Sequence, residues 1–540
     1  MKSNKLYIVA VALLMLTSCS KSFLDTKDVT TASDQNFYKT PSDAFKALVG
    51  VYSGLKTAVG ENANGFVTMS EVLSDNAFGG TGYSDGLGWQ LMDEFDKTRS
   101  PADINIFSGA WSDYYTAIFR ANMLLKNIGG VNWSGSTDVS KAYIAETKFI
   151  RAYCYFDMVR MFGNIPLLTQ PSIDNIPQAN PDSVYALIAQ DLKYAIDNLA
   201  PTSYTKQDPS TYGHATKWAA EALMARVFLY YTGYYGKPDL VGSVAKTDAL
   251  KYTEDVIANG GFGLVDNFAN LWPAASVNSY VGEDNKETVF PVKFTFTGDY
   301  SGNTDGNQWM VMFGIRYGVN AQITPYAQGW GGGPVNPALW NAYSLADSVR
   351  QKATMISIDG EGLPRGGLAS DIQKDQREYT GYYWKKYTPM SDAAGKSLAE
   401  KLGSPSFQIG QYQDYVAIRY SDVLLMAAEL GSANAQSYFD AVRKRALGAG
   451  FVQVPVTQAN IMIERRLELA GEGIRYWDLL RQGVDVAAST IAINTTLLNG
   501  GVPAPVTISA DKIKTTKGLS QIPTNQITLS NGVLKQNTGW

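Results

Sequence analysis

Between residues 112 and 259 apolar side chains keep returning at helical spacing, over 112–127, 139–162, 182–199, 215–234 and 246–259. Taken in pairs, these segments repeat with a period in the thirties, and ~30–40 residues is the length of a helix–turn–helix repeat unit. A single unit of that kind cannot bury its own apolar face, so successive pairs must stack. That spacing points toward a helix–turn–helix repeat over this part of the chain. "RAYCYF" places Ala152 and Phe156 at the A-x₃-F spacing of tetratricopeptide repeats, and "YAIDNLAP" adds Ala195 and a closing Pro201. In "KWAAEALMARVFLYYTGYY" the alanines at 219, 220, 222 and 225 occupy more than one face, which predicts a helix buried on several sides. An earlier helix begins at "TPSD", where Thr40 can cap, Pro41 fits the first turn and Asp43 suits the positive helix end. Its apolar face is Ala44, Leu48, Val51, Tyr52 and Leu55. Further helices are predicted over 419–430, 433–447 and 457–482.

The first residues read as a leader. Lys2 and Lys5 form a basic start before a run from Leu6 to Leu16, apolar apart from Tyr7, that is long enough for a secretory signal and too short to span a bilayer. Leu16-Thr17-Ser18-Cys19 then follows the pattern of a bacterial lipobox, with Cys19 as the lipidated residue. Two or three acyl chains, at about 0.8 kcal/mol per buried CH₂, make a stable tether where one does not. The only other cysteine is Cys154, in a helical pattern, so it reads as a buried small apolar residue and no intramolecular disulfide is expected. With 540 residues, 45% of them apolar, the chain can fill one large core or two intertwined ones. Formal charge is −4, with no basic patch, which argues against a nucleic acid partner.

From about 260 to 410 the character changes to Gly, Asn, Ser, Thr and aromatic residues, as in "FTFTGDYSGNTDGNQWMVMFG" and "TPYAQGWGGGPVNPALWNAY". A loop-rich stretch of that length, with a few short strands, is too long for a connector and points to function. The expected organisation is a signal peptide over 1–18, a lipidated tether over 19–36, and a helical region over 37–260. A loop-rich ligand-binding region over 261–410 and a C-terminal helical region over 411–540 complete it.

Catalysis finds little support. "ERRLELAGEGIRYWDLLRQG" sets Glu464, Glu468 and Glu472 at i, i+4 spacing, yet Ile463, Leu467, Ala470, Ile474 and Trp477 form an apolar stripe on the same predicted helix. Cations three or four positions away (Arg465 to Glu468, Glu472 to Arg475, Arg475 to Asp478) favour a packed helix with ion pairs. "MDEFD" offers Asp93, Glu94 and Asp96, but a glycosidase needs two carboxylates about 5–10 Å apart across a sugar. His214 is the only histidine, so a histidine triad would have to rest on that one residue, and zinc sites built from several histidines are excluded. "GDYSGNTDGNQ" has the oxygen-rich spacing of a calcium loop without the closing glutamate, so no cofactor is expected, with calcium as the one alternative.

Several motifs in order resemble the SusD/RagB family of outer-membrane nutrient-binding lipoproteins. They are the lipobox followed by "FLD", "RAYCYFDMVRMFGNIPLL", "WNAYSLADSVR", "IRYSDVLLMAAEL", "ERRLELAGEGIRYWDLLRQG" and the tail "QIPTNQITLSNGVLKQNTGW". One departure is Asp440 in "YFDAVRKRAL", where the family usually has asparagine. The resemblance implies a mostly α-helical fold, a SusD-like α-α superhelix with tetratricopeptide-like pairs supporting an irregular ligand-binding region. It implies a non-enzymatic, surface-exposed outer-membrane lipoprotein that binds oligo- or polysaccharide and delivers it to a SusC-like TonB-dependent transporter. The rival readings are the same fold importing peptides, and a surface glycoside hydrolase.

For a glycan, the C–H face of a sugar ring can stack on the negative face of an aromatic ring, while its hydroxyls need amide or carboxylate partners. Tryptophan and tyrosine on Gly/Asn/Asp-rich loops are therefore the candidates. "SDNAFGGTGYSDGLGWQ" supplies Tyr83 and Trp89 with Asp75, Asn76 and Asp85. The central region supplies Tyr300 and Trp309 with Asn303, then Tyr326 and Trp330. Trp111, Trp218, Trp340 and Trp477 lie in helical patterns and read as core.

Overall fold

The structure is a computed structural model. It describes residues 37–540 except 62–64, 101–104, 136, 277, 300–305, 317–322 and 364–371. The expected leader, tether and lipidated Cys19 lie outside the described residues, as do Tyr300 and Asn303.

The helical repeat forms as the spacing requires. Helices α1 (Pro41–Lys56), α2 (Ser108–Asn127), α3 (Thr137–Phe162), α4 (Pro181–Asn198), α5 (Lys217–Tyr235) and α6 (Lys246–Asn259) pack each against the next. Thr40 caps α1 in a reciprocal box with Asp43, and Ala44, Leu48, Val51 and Leu55 are buried below it. Helix α5 is enclosed on several sides, with all four of its marked alanines inaccessible. Small side chains there let several neighbours approach one axis. Cys154 is buried in α3, where burial and the Asp157 carboxylate push its thiol well above the usual range. The remaining helices are α7 (Tyr420–Leu430), α8 (Ala435–Leu447), α9 (Gln458–Leu469) and α10 (Arg475–Leu480). Helix α7 packs on α6, so the C-terminal helices continue the repeat stack. Asp440 of α8 accepts amide hydrogens from Gln436 and Gln453, a use that suits a carboxylate.

Two findings correct the expectation of one helix over 457–482. The chain breaks at "AGEG", where Gly471 (φ +80°) and Gly473 (φ +75°) take left-handed conformations, and a Cβ on Gly471 would lie 2.8 Å from the Trp384 ring. Ile463, expected in the buried stripe, is 58% exposed. The ion pairs also run between segments instead of along one helix. Arg350 reaches Glu464 and Glu468, Arg419 reaches Glu287, Glu468 and Glu472, and Lys386 reaches Glu472. Arg465 takes Asp422 and Asp478, and Arg475 takes Asp75. Burial alone would raise the Glu468 carboxyl, yet Arg445, Arg419, Arg350 and Lys386 hold it well below the usual carboxylate range. The signature acids are thus consumed in a buried lattice that fastens the middle of the chain to its end. Antiparallel pairing of β1 (Thr288–Val292) with β2 (Tyr415–Arg419) makes the same junction through the backbone. Of the four tryptophans read as core, Trp111, Trp218 and Trp477 are buried, whereas Trp340 is half-buried against Tyr382.

His214 closes a small network. Its Nδ1 lies 2.7 Å from Glu146 Oε2, which also accepts the Tyr52 hydroxyl, and the Ala215 amide donates to that hydroxyl. The bond to Glu146 raises the imidazole above its ordinary value. The pair therefore adds stability that is complete below about pH 6.5 and is lost as pH rises through the folded value. Screening keeps that contribution to ~0.5–1 kcal/mol. Since no other histidine exists, a single imidazole resonance followed by NMR is expected to titrate above 6.5. A midpoint at or below 6.5 would contradict the pairing.

Candidate functional site

Two glycine-rich stretches far apart in the sequence meet on one face. Isolated antiparallel bridges join Ala77 to Val335, Gly80 to Gly332, and Gly82 to Gln376. Glycine is needed where the strands cross closely. A Cβ on Gly82 would sit 2.2 Å from the Arg316 guanidinium, and one on Gly329 only 2.3 Å from the backbone of Gly314. Tyr83 projects from this layer with 52% of its surface in water. Its ring lies against Gly500 (φ +60°), between strands β3 (Ile493–Asn499) and β4 (Val502–Ile508), where a Cβ would approach the ring to 2.8 Å. Only a glycine there leaves room for the phenol to lie down.

Charged groups surround the ring. Arg377 donates to the carbonyls of Tyr83, Asp85 and Gly86 and stands 5.9 Å from the Tyr83 ring centre. Arg316 pairs through Nε with Asp375 at 2.9 Å, and its Nη1 reaches Asp85 and the Trp330 carbonyl. Trp330 is half-buried at the same layer. The structure therefore brings Tyr83, Asp85 and the Trp330 backbone, from two of the marked regions, to one face. It adds Arg316, Asp375 and Arg377, which no local pattern in the sequence marked. An aromatic ring rimmed by carboxylates and guanidinium groups can stack on an apolar ring face and bond to its hydroxyls.

The other expected binding residues are placed elsewhere, and burial is the reason. Trp89 is 6% exposed in the short helix Gly88–Asp93, its ring beneath Gly332, so it forms the floor of the face. Trp309, in the short helix Gln308–Phe313, is 1% exposed and packs edge-on against Tyr387 and Phe313. Tyr326 is buried and donates to Glu361. Asp75 and Asn76 are buried as well. Asp75 binds Arg475 through both oxygens at 2.7 and 3.0 Å, and Asn76 accepts from Arg466, so the pair ties the loop to the C-terminal helices. In a chain this size, a tryptophan on a glycine-rich stretch has core available to it, and here a single helical turn swings it inward.

A second hollow of about 350 Å³ opens between Tyr280, Tyr412, Met310, Met390 and Gln411. Burial pushes Glu283 at its edge up to about 8. Its walls are chiefly apolar. Among the marked acids, Asp93 and Glu94 are buried with Glu378, leaving no room for a sugar between them, and Asp96 pairs with Lys512.

Fold and face together define a class: a helical-repeat scaffold that carries an irregular presenting surface. Comparison with known proteins makes it specific. Residues 292–540 match the model of the SusD family, and residues 23–229 match a model described as starch-binding associating with outer membrane. A SusD-like protein of Bacteroides ovatus is 26% identical over 503 residues, spanning 88% of this chain and 82% of its own. Among solved structures, a laminarin-binding SusD-like protein is 28% identical with a TM-score of 0.71, covering 93% of this chain and all of that one. Surface glycan-binding protein A from Bacteroides fluxus is 25% identical with a TM-score of 0.74 and the same coverage. The chain belongs to the SusD family. Among the described residues no helix is long and apolar enough to cross a membrane.

Proposed function

We propose that this protein is a non-enzymatic, lipid-anchored glycan-binding protein of the outer-membrane surface. It captures oligosaccharide and passes it to a SusC-like TonB-dependent transporter. The observation that carries the reading is the exposed Tyr83 ring, rimmed by Asp85, Arg316, Asp375 and Arg377, on a face where Arg316 also holds the backbone carbonyl of half-buried Trp330. Relatives described as laminarin-binding and surface glycan-binding support sugar over peptide, and the Cys19 lipobox supports the anchor. Burial of the candidate acids supports binding without hydrolysis.

Retention on immobilised polysaccharides, laminarin among them, without release of reducing ends tests the proposal. One aromatic stack is worth about 1 kcal/mol, roughly fivefold in affinity. Tyr83→Ala and Trp330→Ala are each expected to weaken glycan binding by about that factor, and the double variant by roughly 30-fold. Unchanged affinity in the double variant would remove this face from the site. Loss of affinity in Tyr412→Ala instead would move the site to the second hollow. Affinity for peptides with silence toward sugars would overturn the glycan reading altogether.

A further inference from the structure

We propose that Asp93, Glu94 and Glu378 form a binding site for a hard divalent cation, calcium foremost. Oxygens from these three side chains lie within 4.8 Å of one another, the one such convergence of three potential ligands among the described residues. All three groups are buried, and they come from two chain segments that meet only in the fold. Compensation within the protein is incomplete. The Gly79 amide donates to Asp93, and the Gly80 amide and Gln90 Nε2 donate to Glu378. Arg99 pairs with Glu94 at 2.9 Å, but the arginine is 42% exposed. Arg377 is engaged with backbone carbonyls, and Lys512 with Asp96.

An independent observation points to a ligand. Gln90 is 2% exposed, and its amide nitrogen donates both to Glu378 at 3.2 Å and to the Gly80 carbonyl, which sets this buried amide against the cluster. Gln90 Oε1, Asp93 Oδ1 and the nearby Thr81 hydroxyl have no hydrogen-bond partner. Gln90 Oε1 and an ionised Asp93 Oδ1 can only accept, so a donor or a cation must satisfy them. The set offers oxygen ligands alone, carboxylate and amide, which suits calcium and magnesium and disfavours zinc. A bound cation would also join the loop that carries Tyr83 to the segment that carries Arg377.

The test uses the full chain, stripped with a chelator and titrated with calcium or magnesium chloride. Calcium is expected to bind at one site per chain, with an affinity of about 0.1–1 mM or tighter, and to raise the melting temperature. Asp93→Asn and Glu378→Gln are expected to lose that response, while Asp266→Asn, at an exposed surface acid, keeps it. Should the core variants fail to fold, terbium luminescence sensitised by Trp89 in the unaltered protein, displaced by calcium, gives the same answer. Absence of calorimetric heat, thermal shift and displaceable terbium would overturn the proposal. So would a calcium response that survives in both variants. Variants more stable than the parent in chelator, beside a parent indifferent to calcium, would show that the carboxyls share protons instead.

Discussion

Arg419→Met is expected to cost about 3–5 kcal/mol of folding stability, enough to remove most soluble protein. Arg419 is buried, and its guanidinium contacts Glu287, Glu468 and Glu472 at 2.6 to 2.8 Å. Methionine fills similar volume but leaves those carboxylates facing a deficit of positive charge where water cannot reach. Taking the whole lattice to apolar residues would cost far less than removing one member, because the penalty comes from the unpaired partners. Lys286→Ala breaks the exposed pair with Asp266 and is expected to change stability by less than about 0.5 kcal/mol. Urea unfolding of the two variants side by side makes the comparison. A midpoint for Arg419→Met as close to the parent as that of Lys286→Ala would refute the account.

Gly329→Ala carries the second large effect. Its new methyl would lie 2.3 Å from backbone carbon of Gly314, and backbone cannot yield by a rotamer change as a side chain can. Overpacking of this kind costs about 1–3 kcal/mol. Here it also displaces the neighbouring Trp330, so glycan affinity is expected to fall with stability. Gly50→Ala is the opposite case. Gly50 lies inside α1 with nothing within 4 Å of a Cβ, so alanine is expected to add about 0.5–1 kcal/mol by restricting the unfolded chain. Thermal melts of both decide the matter. A neutral Gly329→Ala would mean the two segments can separate without loss.

Helices were legible to within a few residues. The segment expected over 139–162 runs from Thr137 to Phe162, and that over 182–199 from Pro181 to Asn198. Periodicity and capping are local properties, and both act within a turn or two of where they are written. Residues 457–482 were harder, because a continuous apolar stripe hid two glycines whose left-handed conformations end α9 and redirect α10. Ion pairing misled for a related reason. Arg475 has Glu472 and Asp478 within a helical turn, yet Asp75, four hundred positions away, holds it.

Sequence alone determined the helical repeat and the burial of α5, and it marked the glycine-rich stretches that meet on one face, because each follows from the spacing of apolar or glycine-rich residues along the chain. Which aromatic rings meet water was decided only by the tertiary structure. Tyr83 and Trp89 share one loop and similar neighbours, and a short helix beneath Gly332 turns one inward while Gly500 leaves the other outside. Side-chain exposure depends on what packs against a residue from elsewhere. That is why Arg316, Asp375 and Arg377 join the face unannounced.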